Sequence, residues 1–274
     1  MSGLPVSGEI PGTIAIDAHA HLRRCFEVSA ALDHAAANLG RGLRSRGSRD
    51  DQPFLGVLLL AEAPDCHPFE ALAKRATTGP WSLAGTGEEI SLYARNPTGA
   101  TLLLVAGRQV TTRERLEVLS LGSAARLDDG ASVETTLKMT VEGGGLAVLP
   151  WGFAKWWGRR GKVVRRIVAA ARPGQLFLGD NGNRPWLAPR PAFFREAEAR
   201  GVGVLPGSDP LPFPTHLRNV GRYGFVLQAN LDSTSPAEEL KRILRQGVIV
   251  RSTIGGREGP VRFLGDQIRL RLGS

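Results

Sequence analysis

Cysteine is nearly absent from this 274-residue chain: Cys25 and Cys66 stand alone, without CxxC spacing. That excludes a disulfide framework and a zinc knuckle. Histidine is scarce and unevenly placed. The five are His19, His21, His34, His67 and His216, so residues 68–215 contain none. Long apolar runs are missing as well: stretches such as Leu55 to Ala61 fall far short of the ~20 residues a membrane span requires. Residues 1–11 show no basic stretch followed by an apolar one, so no secretory signal is visible. These absences lead to the expectation of a cytoplasmic protein with reduced thiols and no membrane partner. Lysine is rare: of 35 basic residues five are Lys, leaving 35 − 5 = 30 Arg. The formal charge of +9 attracts phosphates, nucleic acid or acidic surfaces without choosing among them.

What is present is enough for a core, since 42% of residues are hydrophobic, and no repeat or linker divides residues 1–274 into two domains. Apolar patterning predicts strands at 13–21, 54–62, 100–110, 116–121, 145–149, 176–179 and 202–205. Helices are predicted at 28–43, 68–75, 133–141, 161–171, 190–200 and 236–246. A hairpin at 81–84 and 90–94 turns at Gly85-Thr86-Gly87, and two terminal strands are predicted at 248–253 and 267–272. Repeated β-α units without a Gly-rich phosphate loop favour a closed parallel barrel over a dinucleotide-binding sheet.

The strongest chemical signal is Asp17-Ala18-His19-Ala20-His21 on the first of these strands. Strict alternation along a strand would send Asp17, His19 and His21 to one face, inside the barrel. Two imidazoles at i and i+2 suit one metal ion.

This motif resembles the opening motif of the PHP (polymerase and histidinol phosphatase) metallo-hydrolases. Residues 105–112 and 116–122 resemble the family's third motif. Residues 144–151 resemble its His-Pro strand, and 198–209 with 220–223 its fourth motif, so the likeness spans about 13–225. The resemblance implies a distorted (β/α)7 PHP-like barrel with a hairpin insertion, completed by a helix and strands at 226–274. It also departs from the family. Glu62-Ala63 stands where Asp-His is usual, Gln109 replaces a Glu, Glu117 a His, Pro150-Trp151 the His-Pro pair, and Leu211 another His. A full three-metal centre is therefore not expected. The resemblance implies a reduced centre of one or two divalent ions (Mn, Zn or Fe). Its ligands would be His19, His21 and Asp209, with Glu62 and Glu117 as the remaining carboxylates and Gln109 at the border.

By the same resemblance the catalytic set would be Asp17, Asp209 and Arg222, acting on a small phosphorylated substrate as a metal-dependent phosphoesterase. The alternative is an inactive PHP-like barrel serving as a binding or scaffold module. Amidohydrolases also open with His-x-His, but their middle-strand histidines would fall within 68–215, where there are none. His34 reads as a helix-surface residue. His67, before Pro68, and His216, in a Pro-rich loop, are candidates to replace missing imidazoles. Asp180 is a candidate pocket wall, and Arg218 and Arg222 are candidate phosphate holders. The aromatic and basic mixture at 151–162 is the one weak pointer to nucleic acid. Substrate and oligomeric state are open at this level.

Overall fold

The computed structural model describes residues 9–10, 12–49, 52–247, 250 and 252–272. Its elements run β1 (Glu9–Ile10), β2 (Thr13–Ala20), α1 (Val28–Arg44), β3 (Phe54–Leu60), α2 (Pro68–Ala73), β4 (Thr77–Thr78), β5 (Trp81–Gly85), β6 (Ser91–Arg95), β7 (Thr101–Val105) and β8 (Gly107–Thr111). The chain continues through β9 (Glu117–Leu121), α3 (Val133–Glu142), β10 (Leu146–Pro150), α4 (Gly158–Ala170), β11 (Phe177–Asn181), α5 (Ala192–Glu198) and β12 (Gly203–Gly207). A 3-10 turn (Pro214–Asn219), β13 (Tyr223–Gln228), β14 (Leu231–Asp232), α6 (Pro236–Arg245), β15 (Thr253–Gly255) and α7 (Pro260–Leu272) complete it.

The strands form two mixed sheets and a small β1–β14 pair. One has eight strands in the order β15-β13-β2-β3-β7-β6-β5-β4, the other five in the order β12-β11-β10-β9-β8. Neither closes, so the expected (β/α)7 barrel is overturned. The cause lies in antiparallel pairing where a barrel of parallel staves would need parallel pairing. β8 and β9 are a hairpin, β9 pairs antiparallel with β10, and the β5–β6–β7 meander extends the first sheet outward. Parallel staves linked by crossover helices are confined to β2-β3-β7 and β10-β11-β12.

The predicted strand 100–110 is in fact two, β7 in one sheet and β8 in the other. Gly107 makes the switch: a Cβ there would stand 2.4 Å from the Leu60 carbonyl oxygen and 2.8 Å from that of Ser120. Only glycine allows three backbones to meet so closely. The predicted strand at 267–272 is the second half of α7, and of the predicted 248–253 strand, residues 248, 249 and 251 lie outside the described residues.

β3 is apolar throughout, and β2 is so apart from Thr13, Asp17 and His19, because both their faces are buried. Ile14, Ile16 and Ala18 join Val57, Leu119 and Phe177 in a cluster shared by the two sheets. Ala15, Ala20 and Leu22 face Leu32 and Leu39 of α1 on the other side. The change from odd to even along β2 marks a bulge. Asp17 pairs with Leu58 and Ala20 with Leu60, three steps on one strand against two on the other.

Candidate metal centre

The bulge corrects the expectation that Asp17, His19 and His21 share a face. Asp17, in phase with Ala15, points away from the cleft between the sheets, whereas His19 and His21, out of phase with Ala20 and Leu22, point into it. Asp17 accepts hydrogen bonds from the backbone N–H groups of Ser208 (2.8 Å), His19 (3.0 Å) and Gly221 (3.0 Å), and from the Ser208 hydroxyl. Burial pushes the Asp17 carboxyl up, against those four donors. It is a tie between β2, the end of β12 and the turn before β13.

That tie brings Asp209 to the histidines. A Cβ on Gly207 would lie 2.3 Å from the His19 nitrogen, so β12 rests directly on β2 at this point. The Asp209 N–H then donates to the His19 carbonyl at 2.8 Å. Asp209 has φ 47, a left-handed conformation that few non-glycine residues adopt, asparagine and aspartate more readily than most. Two side chains hold it there: Asn181 donates to Oδ2 (2.8 Å) and Asn183 to the carbonyl oxygen (2.6 Å). Neither asparagine was singled out from the sequence, although both lie in the Gly-Asp-Asn-Gly-Asn run at 179–183.

The result is a convergence of donor atoms. His19 Nε2 lies 3.1 Å from His21 Nε2, 3.2 Å from Gln109 Oε1 and 3.5 Å from Asp209 Oδ1, and His21 Nε2 lies 3.3 Å from the same Oδ1. Ligand atoms around a tetrahedral ion with zinc-like bonds are about 3.3–3.4 Å apart, so these separations fit one such ion. Among the described residues, His19, His21 and Asp209 form the single group of three or more His, Cys, Asp or Glu side chains close enough to share a metal.

The electrostatics suit ligation. Burial, reinforced by the Arg23 charge, lowers the His21 pKa to about 3, so its imidazole is neutral and a competent ligand. Burial works to raise the Asp209 pKa, but His19, His21 and Arg23 outweigh it and hold the carboxyl well below the usual range. The Arg23 Nε donates to the Pro210 carbonyl (3.1 Å), and its charge acts on both Asp209 and Glu117. Arg23 extends the i, i+2 spacing of the motif, a signal that was available in the sequence. His19 Nδ1 is buried without a hydrogen-bond partner, so this imidazole lacks the outer-shell acceptor metal-bound histidines usually have.

Glu62 and Glu117 are not part of this convergence. Glu62 accepts from the Phe69 N–H (2.7 Å) at the start of α2 and lies 3.4 Å from His67 Nδ1. Burial raises its pKa against both contacts. With Arg108 it lines a separate cavity of about 290 Å³. Glu117 is paired with Lys155 in a close ion pair. Arg222 bonds Glu258 (3.0 Å) and the Gly182 carbonyl (3.3 Å), and Arg218 is exposed. His34 is exposed on α1, and His216 is buried against Asp266 of α7 (2.9 Å). Asp180 grips Arg184 with both oxygens (2.8 and 2.7 Å), accepts from the Tyr223 hydroxyl (2.9 Å) and lines a cavity of about 640 Å³.

No protein-family model and no curated protein matches this chain. Among solved structures it is similar to PsfC from Pseudomonas syringae PB-5123, with a TM-score of 0.57 and 13% identity over 96% of this chain and 99% of that one. At that identity the likeness speaks to the fold alone. No helix among the described residues is long and apolar enough to cross a membrane.

Proposed function

We propose that the protein is a metal-dependent hydrolase of small phosphate esters, related to the PHP enzymes in its ligand motif but with a single-ion centre. The observation that carries the reading is the convergence of His19, His21, Asp209 and Gln109 on one point. His19, His21 and Asp209 would hold the ion, and Gln109 would offer a neutral oxygen. A bound divalent ion supplies Lewis acidity and lowers the pKa of water for attack on phosphorus. The chain's own contribution is position and charge. Asn181 and Asn183 fix Asp209, Asp17 fixes the strand ends, and Arg23 places positive charge beside Asp209, where it would favour an anionic substrate. Two free cysteines suit the reducing cytoplasm, where we place the protein.

The test is metal analysis of chelator-free protein, followed by assay on a panel of phosphate esters. The expected result is close to one equivalent of Mn, Zn or Fe and turnover lost in His19→Ala; less than about a tenth of an equivalent after reconstitution counts against the reading. A second reading, a binding module without catalysis, is favoured by the engagement of Glu62 and Glu117 in other contacts. Metal-dependent turnover would eliminate it.

A further inference from the structure

Helix α7 is built inside out. Its one buried residue is the acid Asp266, bonded to the buried His216, which also meets the Asn219 amide (3.0 Å) and the Leu211 N–H (3.3 Å). Its outward face is apolar: Val261 is 86% exposed, Leu264 60%, Ile268 50% and Leu272 75%. These positions follow at steps of three and four, so they form one stripe along the helix. Other exposed apolar side chains gather around the helix start. Phe153, in edge contact with Trp157 (5.4 Å), also packs on Phe263 (5.3 Å), and the Trp186 N–H donates to the Glu258 carbonyl (2.9 Å). Trp157, Trp186 and Leu187 are exposed.

The charge around the stripe selects what covers it. Arg262, Arg269 and Arg271 are the basic residues of α7, and its one acid is buried; Arg262 also pairs with the buried Glu258 (3.7 Å), and Arg269 lies over the Phe213 ring (5.1 Å). A second copy of the chain would bring arginine against arginine, on top of a net charge of +9 in each molecule. Single-stranded nucleic acid would match the charge and the tryptophans, but it offers nothing to an aliphatic stripe. Aliphatic side chains flanked by arginine, with exposed tryptophans near the helix start, are the composition of a surface that lies in the interface of an anionic bilayer.

We infer that the outer face of α7, with the neighbouring tryptophans, docks the protein peripherally on an anionic lipid surface. The aliphatic stripe enters the acyl boundary while the arginines meet the headgroups. This inference does not depend on the metal centre or on the proposed reaction.

The test is co-sedimentation of the full chain with vesicles of equal phosphatidylglycerol and phosphatidylcholine, and with phosphatidylcholine vesicles alone. Binding is expected to the anionic vesicles only, weakened by salt, and reduced at least about tenfold in Leu264→Asp/Ile268→Asp. Both positions are exposed, so the thermal unfolding of this variant should match the parent; Leu264→Ser/Ile268→Ser provides a milder second variant. No binding to either vesicle, or equal binding to both, overturns the inference. So does a concentration-dependent dimer that the same substitutions dissociate, or an oligonucleotide complex that they abolish while vesicle binding is absent.

Discussion

Gly207 lies so close to His19 that a Cβ on the glycine would stand 2.4 Å from the histidine Cβ. The contact sets how near the end of β12 comes to the end of β2, and thus whether Asp209 reaches the imidazoles. In Gly207→Ala the strands must part. We expect a loss of about 1–3 kcal/mol of stability, the usual cost of overpacking, together with weaker metal binding. Urea unfolding and a metal titration on the same variant check both. Unchanged metal affinity would show that the close approach is dispensable.

The donor set makes a discriminating prediction. Asp209→Asn and His21→Ala should lower metal affinity by more than about tenfold, whereas Glu62→Gln and Glu117→Gln should leave it near the parent value, because those carboxylates face Phe69 and Lys155 instead. Gln109→Ala should fall between, since it removes a neutral oxygen 3.2 Å from His19. Competition against a chromophoric chelator ranks the five variants. Glu62→Gln behaving like Asp209→Asn would require the two sites to be one.

Asp17 is expected to act as a brace. Asp17→Asn replaces one acceptor oxygen by an amide nitrogen, so that either the Ser208 and His19 N–H groups at the Oδ1 position or the Gly221 N–H at the Oδ2 position lose their acceptor. The cost should be about 1–3 kcal/mol. Any loss of turnover should follow the loss of bound metal and be recovered at high metal concentration. A variant with full metal occupancy and no turnover would instead give Asp17 a direct chemical part.

Acid should destabilise the metal-free protein earlier than carboxylate protonation alone predicts. The His21 pKa falls from its ordinary 6.5 to about 3 on folding, because burial and then the Arg23 charge disfavour the imidazolium. In the unfolded chain the same imidazole takes up a proton near 6.5. The contribution is therefore fully present above that pH and is lost progressively as pH falls toward 3. Urea midpoints of chelated protein should drop between pH 7.5 and 5, and the drop should be smaller in His21→Gln. A midpoint that holds constant over this range would contradict the depressed value.

Much of the local structure was legible from apolar patterning. The paired apolar faces of β2 and β3 and the helical spacing of α1 are properties of short segments. The candidate ligand pair of Asp17-Ala18-His19-Ala20-His21 was equally visible, since two imidazoles two residues apart on a strand can share one ion. Arg108 and Gln109 show the limit. They sit in a predicted strand that the chain divides at Ala106 and Gly107 between two sheets, and no periodicity marks the division.

The sequence by itself determined which residue types lay near the ends of which strands, because alternation and helical spacing depend on neighbours within a few positions. Tertiary structure alone decided strand direction and the face each side chain took. Parallel and antiparallel pairing use the same apolar residues, so the β8–β9–β10 reversal replaced the expected barrel with two open sheets. One extra residue at the β2 bulge separated Asp17 from the histidines it resembles in pattern. The third donor, Asp209, came within reach through contacts of high sequence separation: Gly207 against His19, Ser208 on Asp17 and Asn181 on Asp209 itself. Such contacts form only when the whole chain has packed.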